Sequence, residues 1–321
     1  MSGTSASPQS AVVVTGGAGF IGSNLVDSLL ARGHRVVVLD NLSTGRRDNL
    51  TEALERGAEL HEIDVTDAAA VSELLLRERP RAVFHLAAQI DVRRSVDDPA
   101  ADARVNVEGT VNVLSAAHAA GVGRVVYSAT GGAVYGEAET IPTPEEAPAL
   151  PLSPYGQSKL SGEGYCALFA RLHGLSTVAL RYSNVYGPRQ DPLGEGGVIA
   201  IFCGAFAHGR TPTIYGDGEQ TRDYLYVEDV VAANLLAADG DVTGCFNVAT
   251  GVETSVLDLV AAFRGLDGGE GFAPVHAPAR AGEVVRSCLD ATRARAALGW
   301  EPSVDLAAGL SRTLAFQAAV A

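Results

Sequence analysis

The alternation of apolar and polar positions changes character once along the chain. Through the first half, short β-branched runs, apolar almost throughout, alternate with longer stretches of helical period. The short runs predict strands over 12–14, 35–39, 60–63, 82–86, 124–127 and 177–180, and the stretches between them predict helices over 20–32, 68–79, 99–120 and 154–173. Pro80 closes one helix and Pro99 opens another, the positions a residue without an N–H tolerates best. Strands apolar on both faces and separated by helices predict a parallel sheet covered on both sides. After about Arg181 glycine and proline become frequent, and shorter helices are expected over 199–208, 229–238, 256–263 and 291–298. The expected division is a disordered lead-in over 1–10, a large α/β domain over 11–181 and a smaller lobe over 182–321, with the chain free to cross between lobes.

The first strand runs into Thr15-Gly16-Gly17-Ala18-Gly19-Phe20-Ile21-Gly22. Strand before and helix after give this glycine spacing a meaning. Gly16 permits a tight turn, Gly19 lets backbone approach a pyrophosphate, and Gly22 lets helix pack on strand, with phosphates on the free N–H groups of the helix start. Asp40 ends the second strand at the distance expected of a ribose-binding carboxylate, which favours NAD over NADP. Asp64 ends the third strand, where it meets an adenine amino group or caps the helix beginning near Asp67. The fold class is thus a Rossmann-type doubly wound parallel sheet with a smaller α/β substrate-binding lobe.

Composition narrows the partners. The formal charge of −14 and pI of about 4.9 argue against nucleic acid and against anionic membranes. The apolar fraction of 47% suits a large interior, and no stretch has the length of a membrane span. Residues 1–10 lack the basic and apolar regions of a signal peptide. Cys166, Cys203, Cys245 and Cys288 are scattered without metal-ligand spacing, which predicts reduced thiols, no metal and a cytoplasmic protein.

The candidate chemistry lies in Ser153-Pro154-Tyr155-Gly156-Gln157-Ser158-Lys159. Ser153 and Pro154 suit the cap and first position of a helix, which sets Tyr155 and Lys159 on one face. A phenol is a poor base at neutral pH, and a neighbouring cation favours the phenolate. Bringing it to pH 7 takes about 3 units, or about 4 kcal/mol, more than one lysine ordinarily supplies. An oxidised nicotinamide is a source of a second charge. Ser128 and Thr130, at the tip of the fifth strand, are the hydroxyls placed to share a proton with Tyr155. Taken alone, a tyrosine and a lysine four apart are also ordinary helix neighbours.

Further motifs follow in order: Asp40-Asn41-Leu42-Ser43-Thr44-Gly45, His85-Leu86-Ala87-Ala88-Gln89, Asn106-Val107-Glu108-Gly109-Thr110, Arg181-Tyr182-Ser183-Asn184-Val185-Tyr186-Gly187-Pro188 and Gly218-Glu219-Gln220-Thr221-Arg222-Asp223-Tyr224. With the glycine loop and the Tyr155–Lys159 pair, the chain resembles the extended short-chain dehydrogenase/reductases, within them the UDP-glucose 4-epimerase group, from Ala11 to Trp300. The resemblance implies a tightly held NAD, a nucleotide-sugar substrate and a homodimer. Tyr155 would act as base on the sugar 4-hydroxyl, Lys159 would hold the nicotinamide ribose and lower the tyrosine pKa, and Thr130 or Ser128 would relay the hydrogen bond. The cofactor would meet Gly16, Gly19, Phe20, Ile21, Gly22, Asp40, Asn41, Ser43, Thr44, Gly45, Asp64, Val65, Leu86, Ala87, Ala88, Gln89, Asn106, Tyr155, Lys159 and Tyr182. The substrate would meet Thr130, Tyr155, Asn184, Val198, Tyr215, Arg222, Arg280, Glu283 and Ser287, with Arg222 and Arg280 suited to a diphosphate. Arg222 is also placed for an ion pair with Asp223 or Glu219, and Arg280 for one with Glu283. The dimer would form through the helices over 99–120 and 154–173, with Val107, Val111, Leu114, Leu160, Ala167 and Leu168 facing outward.

The resemblance also ranks substrates. Gly131-Gly132 stands where 4,6-dehydratases carry an acid pair, and lengthens the loop relative to other epimerases. Asp191 stands where UDP-glucuronate 4-epimerases usually place an arginine, which weakens that reading or a decarboxylase. Ser287 stands where epimerases that exclude N-acetyl sugars place a tyrosine, leaving room for UDP-GlcNAc and UDP-GalNAc. A non-catalytic NAD-binding regulator is the alternative of another class, disfavoured because both Tyr155 and Lys159 are kept.

Overall fold

The strands in chain order are β1 (Val12–Thr15), β2 (Val36–Asp40), β3 (Glu59–Glu62), β4 (Ala82–His85), β5 (Arg124–Thr130), β6 (Thr177–Tyr182), β7 (Asn184–Tyr186), β8 (Thr213–Tyr215), β9 (Thr221–Arg222), β10 (Tyr224–Tyr226), β11 (Gly244–Val248), β12 (Thr254–Ser255) and β13 (Val275–Ala277). A computed structural model describes residues 11–192, 197–279 and 284–320. The expected lead-in over 1–10 and the expected substrate residues Arg280 and Glu283 lie outside the described residues.

Seven strands form one parallel sheet in the order β11-β6-β5-β4-β1-β2-β3. The chain winds outward from β1 through β2 and β3, then returns to the other side through β4, β5 and β6. The order therefore reverses between β1 and β4, and the carboxyl ends of those strands flank the crevice where such sheets take ligands. Side chains alternate across the sheet. Val12, Val14, Val36 and Val38 pack with Leu25, Val26 and Leu29 of the Phe20–Ala31 helix. Val13, Val37 and Leu39 pack on the other side with Val71, Leu74 and Leu75 and with Val113 and Leu114. Burial on both faces, at about 1.5–3 kcal/mol for each large aliphatic side chain, is why the strands read as unbroken apolar runs. The outermost strand β3 departs from that pattern, with Glu59 and Glu62 exposed at its ends.

The fifth and sixth strands run beyond their expected ends. Pairing continues through Ser128 with Leu180 and Thr130 with Tyr182, so that β5 carries its two hydroxyls at the carboxyl end of the sheet. The helix expected over 99–120 is continuous but changes hydrogen bonding inside, from α (Pro99–Ala103) through a π turn (Arg104–Glu108) to α again (Gly109–Ala120). Leu114 is fully buried in the core and does not face outward, whereas Val107 and Val111 are half-buried and Ala167 is exposed.

Two elements carry no strong local signal. Strand β11, from the second half of the chain, completes the large sheet beside β6. The helix Leu306–Val320 buries Leu310 in the second lobe's core with Phe202 and Phe263. The partly buried Phe20 and Ile21, at the start of the glycine-loop helix, pack against that same core.

Candidate active site

The glycine loop makes a backbone-lined cradle between β1 and β4. Gly16 sits at φ +69, and a Cβ there would lie 2.6 Å from the Ala87 N. A Cβ on Gly22 would lie 2.1 Å from the Gly16 carbonyl oxygen, so helix and loop touch through backbone alone. The Phe20–Ala31 helix opens at Gly19 with no side-chain cap and no acidic residue in its first turn. Uncapped N–H groups and a positive dipole end suit a pyrophosphate. At the tip of β2, Asp40 is buried and accepts from Ala18 N at 2.9 Å and Leu42 N at 2.8 Å. Those bonds hold the carboxylate beside Gly45, whose Cβ would lie 2.9 Å from Asp40 Oδ1. Asn41, Ser43 and Thr44 are exposed around it. Asp64 does not cap the following helix. That helix is capped by Asp67, while Asp64 takes the Thr66 N–H and hydroxyl on one oxygen and Asn41 Nδ2 on the other. This donor set, a glycine cradle with a carboxylate twenty-odd residues on, fits a dinucleotide with a free ribose 2′-hydroxyl.

Beneath the cradle lies His85, a residue whose part was not legible in the sequence. Its ring bridges Thr15 Oγ1 at 2.7 Å and Thr110 Oγ1 at 3.0 Å. Burial, with Lys159 adding to it, lowers its pKa to about 3, so the imidazole is neutral and acts as a brace. Thr15 Oγ1 accepts from Ala87 N at 3.1 Å, which fixes the Leu86–Gln89 segment.

The Pro154–His173 helix starts as expected, with Ser153 accepting from Gly156 N at 3.1 Å and Pro154 in the first turn. A second serine, Ser95, accepts from Tyr155 N at 3.2 Å and anchors the same turn from the neighbouring helix Val92–Asp97. The structure separates the two candidate hydroxyls. Thr130 is the hydrogen-bond partner of the Tyr155 phenol. Ser128 bonds instead to Tyr182, whose hydroxyl also meets Asn234 Oδ1 at 3.0 Å. Tyr182, an expected cofactor contact, is buried with its hydroxyl turned to these two partners.

Lys159 is fully enclosed, donates to the Ser128 carbonyl at 2.9 Å and lies 5.1 Å from the centre of the Tyr127 ring. Burial lowers its pKa to about 8, opposed first by Asp102. Burial raises the Tyr155 phenol to about 12, opposed by the Thr130 hydrogen bond, with Asp102 pushing it further up. The expected lowering of Tyr155 by Lys159 is not found in the protein alone: burial raises the phenol, and the one group opposing it is Thr130. A positive charge brought in by an oxidised nicotinamide acts in the required direction.

Asn184, the first residue of β7, has a buried Oδ1 with no hydrogen-bond partner among the described residues, and it lies 3.5 Å from where a Cβ on Gly132 would stand. The Tyr224 hydroxyl is buried and unpartnered in the same sense. The Gly131-Gly132 pair has a packing reason: a Cβ on Gly131 would fall 2.2 Å from Leu289 Cδ1. Arg222 does not pair with Asp223. Asp223 is buried and accepts from Thr250, Gly251 and Ser183, while Arg222 Nη1 donates to the Thr221 carbonyl at 2.7 Å. Ser287 N donates to the Thr221 carbonyl at 3.2 Å, which sets Ser287 beside Arg222. Val198 opens the Val198–Ala207 helix and Tyr215 ends β8, where it is exposed.

Cradle, carboxylate and a buried lysine beside a half-buried tyrosine define a dinucleotide-dependent α/β enzyme. The sequence profile of the NAD dependent epimerase/dehydratase family matches residues 12–249, and the chain belongs to that family. It is 50% identical over 307 residues to a UDP-glucose 4-epimerase of Mycolicibacterium smegmatis, covering 95% of this chain and 97% of that protein. It superposes on the Thermotoga maritima UDP-glucose 4-epimerase crystallised with UDP-glucose at a TM-score of 0.93, with 45% identity and 97% and 99% of the two chains covered. The Thermus thermophilus UDP-glucose 4-epimerase in complex with NAD gives a TM-score of 0.87, with 41% identity and 95% and 98% coverage.

Proposed function

We infer that this protein is an NAD-dependent enzyme that inverts C4 of a UDP-hexose, interconverting UDP-glucose and UDP-galactose. The observation that carries the reading is the Tyr155–Lys159 pair with Thr130 on the phenol, set at the carboxyl end of the sheet between a dinucleotide cradle and an unpartnered Asn184. The Mycolicibacterium and Thermotoga relatives, which carry that activity in their names, support it.

NAD, held by the Gly16–Gly22 loop and Asp40, would supply reversible hydride acceptance from C4. Tyr155 takes the proton of the 4-hydroxyl and returns it to the opposite configuration. Thr130 orients the phenol and stabilises its ionised form. Lys159, held by the Ser128 carbonyl, presents its ammonium to the ribose of the nicotinamide half. Asp40 receives the adenine-side ribose hydroxyls, and the Gly16–Gly22 loop the pyrophosphate. Asn184 and Arg222 meet the substrate's sugar or diphosphate.

The deciding assay incubates the purified protein with UDP-galactose and no added nucleotide. UDP-glucose is expected to appear, because the cofactor is held and regenerated each cycle. No conversion, even with NAD supplied, would sink the reading. Ser287 also favours acceptance of UDP-GlcNAc, which the same assay tests directly. Turnover of UDP-glucuronate in place of either hexose would instead favour the uronate reading.

A further inference from the structure

Asp102 has no place in the chemistry so far, yet it is one of the most enclosed acids in the molecule, at 1% exposure. It stands on Pro99–Ala103, immediately before the π turn of Arg104–Glu108. Its Oδ1 accepts from Gln89 Nε2 at 3.0 Å and from Asn106 Nδ2 at 3.1 Å. Those two residues are joined to each other, Gln89 N to Asn106 Oδ1 and Asn106 Nδ2 to the Gln89 carbonyl, both at 2.9 Å. Asn106 Nδ2 also reaches Ser158 Oγ at 3.1 Å, and Ser158 donates to the Tyr155 carbonyl at 2.9 Å. The acid is thus wired to the turn that presents Tyr155 and Lys159. Its other oxygen, Oδ2, is buried with no hydrogen-bond partner among the described residues.

A buried carboxylate half of which lacks a partner costs stability unless a charge compensates it. The Glu163 carboxylate, also near Lys159, is already bound by Arg181, with Nη2 at 2.6 Å. We propose that Asp102 is a positioning residue that supplies the counter-charge for the enclosed Lys159 while bracing Gln89 and Asn106 against the tyrosine turn. The inference rests on the roles given above to Tyr155 and Lys159. The titratable groups around Lys159 are Asp102 from its neighbouring helix, Tyr155, Glu163 and Cys166 from its own, Tyr127 from β5 and His85 from β4. Asp102 acts upward on the pKa of both Lys159 and Tyr155, so removing its charge moves both the same way, down.

Lys159 is the sole lysine of the chain, so protein labelled with 13C at the lysine Cε gives one side-chain signal that titrates with Lys159. In D102N, which keeps an acceptor for Gln89 and Asn106 but loses the charge, the midpoint of that titration is expected to fall by at least about half a pH unit. The pH optimum of epimerisation is expected to move to lower pH with it. An unchanged midpoint, or a lower rate at an unchanged optimum, would overturn the proposal and leave Asp102 a packing residue. If D102N does not fold, Asp102→Ser removes the same charge with less bulk and is read the same way. A wild type without epimerase activity would sink the reading of function, while the lysine titration would still decide the part played by Asp102.

Discussion

At the scale of single residues, the site depends on which hydroxyl touches the phenol. Ser128 and Thr130 lie on the same side of β5, two positions apart, and nothing local separates them. The pairing of β5 with β6 places Tyr182 opposite Thr130, while the Tyr182 hydroxyl reaches Ser128 and leaves Thr130 for Tyr155. Tyr155→Phe removes the proposed base and keeps the ring. Turnover is expected to fall about 10²- to 10⁴-fold, the range general base catalysis contributes, with NAD still bound, as followed by nicotinamide fluorescence after reduction. Activity within about tenfold of wild type would rule out Tyr155 as the base.

At the scale of elements, the helix that carries Tyr155 and Lys159 is clamped to the sheet by a buried ion pair. Glu163 accepts from Arg181 Nε at 2.9 Å and Nη2 at 2.6 Å, and Arg181 Nη1 donates to the Tyr135 hydroxyl at 2.7 Å. Removing one partner leaves the other buried and uncompensated, so Glu163→Leu is expected to cost about 3–5 kcal/mol in urea unfolding. The double change Glu163→Leu with Arg181→Met is expected to recover much of that loss, since neither charge then stays buried alone. A single mutant as stable as wild type would show that the clamp contributes nothing. The cradle makes a separate prediction. Gly22→Ala puts a methyl against the Gly16 carbonyl, at 2.1 Å before any movement. The strand–helix turn has to open, and NAD retention through gel filtration is expected to drop from near-complete to little or none. Undiminished retention would show that the turn yields without loss.

At the scale of the whole molecule, two elements that lack strong local patterning complete the layers. Strand β11 lies far along the chain and closes the large sheet beside β6. The Leu306–Val320 helix closes the second core. The outer faces of the Gly109–Ala120 and Pro154–His173 helices leave Val111 and Leu168 half-buried and Ala167 exposed, with Leu114 turned inward. We propose that these faces meet across a two-fold axis in a dimer. Multi-angle light scattering at micromolar concentration is expected to give twice the 33.1 kDa chain mass, and a monomer mass would contradict the pairing.

The chain's own patterning determined the parallel sheet, the glycine cradle, Asp40 at the tip of β2 and the placing of Tyr155 and Lys159 on one helix face. Each of these follows from local periodicity, or from a glycine or cap that only one geometry explains. Only the tertiary structure decided that Thr130 and not Ser128 meets the phenol, that Asp223 turns away from Arg222, that His85 is a neutral brace, and that Asp102 is linked through Asn106 and Ser158 to the turn of Tyr155. Those outcomes depend on which strands pair and which helices stack, and contacts between residues far apart in sequence leave no period to read. The same holds for the charge on Tyr155: a sequence shows the neighbouring lysine but not the burial that opposes it.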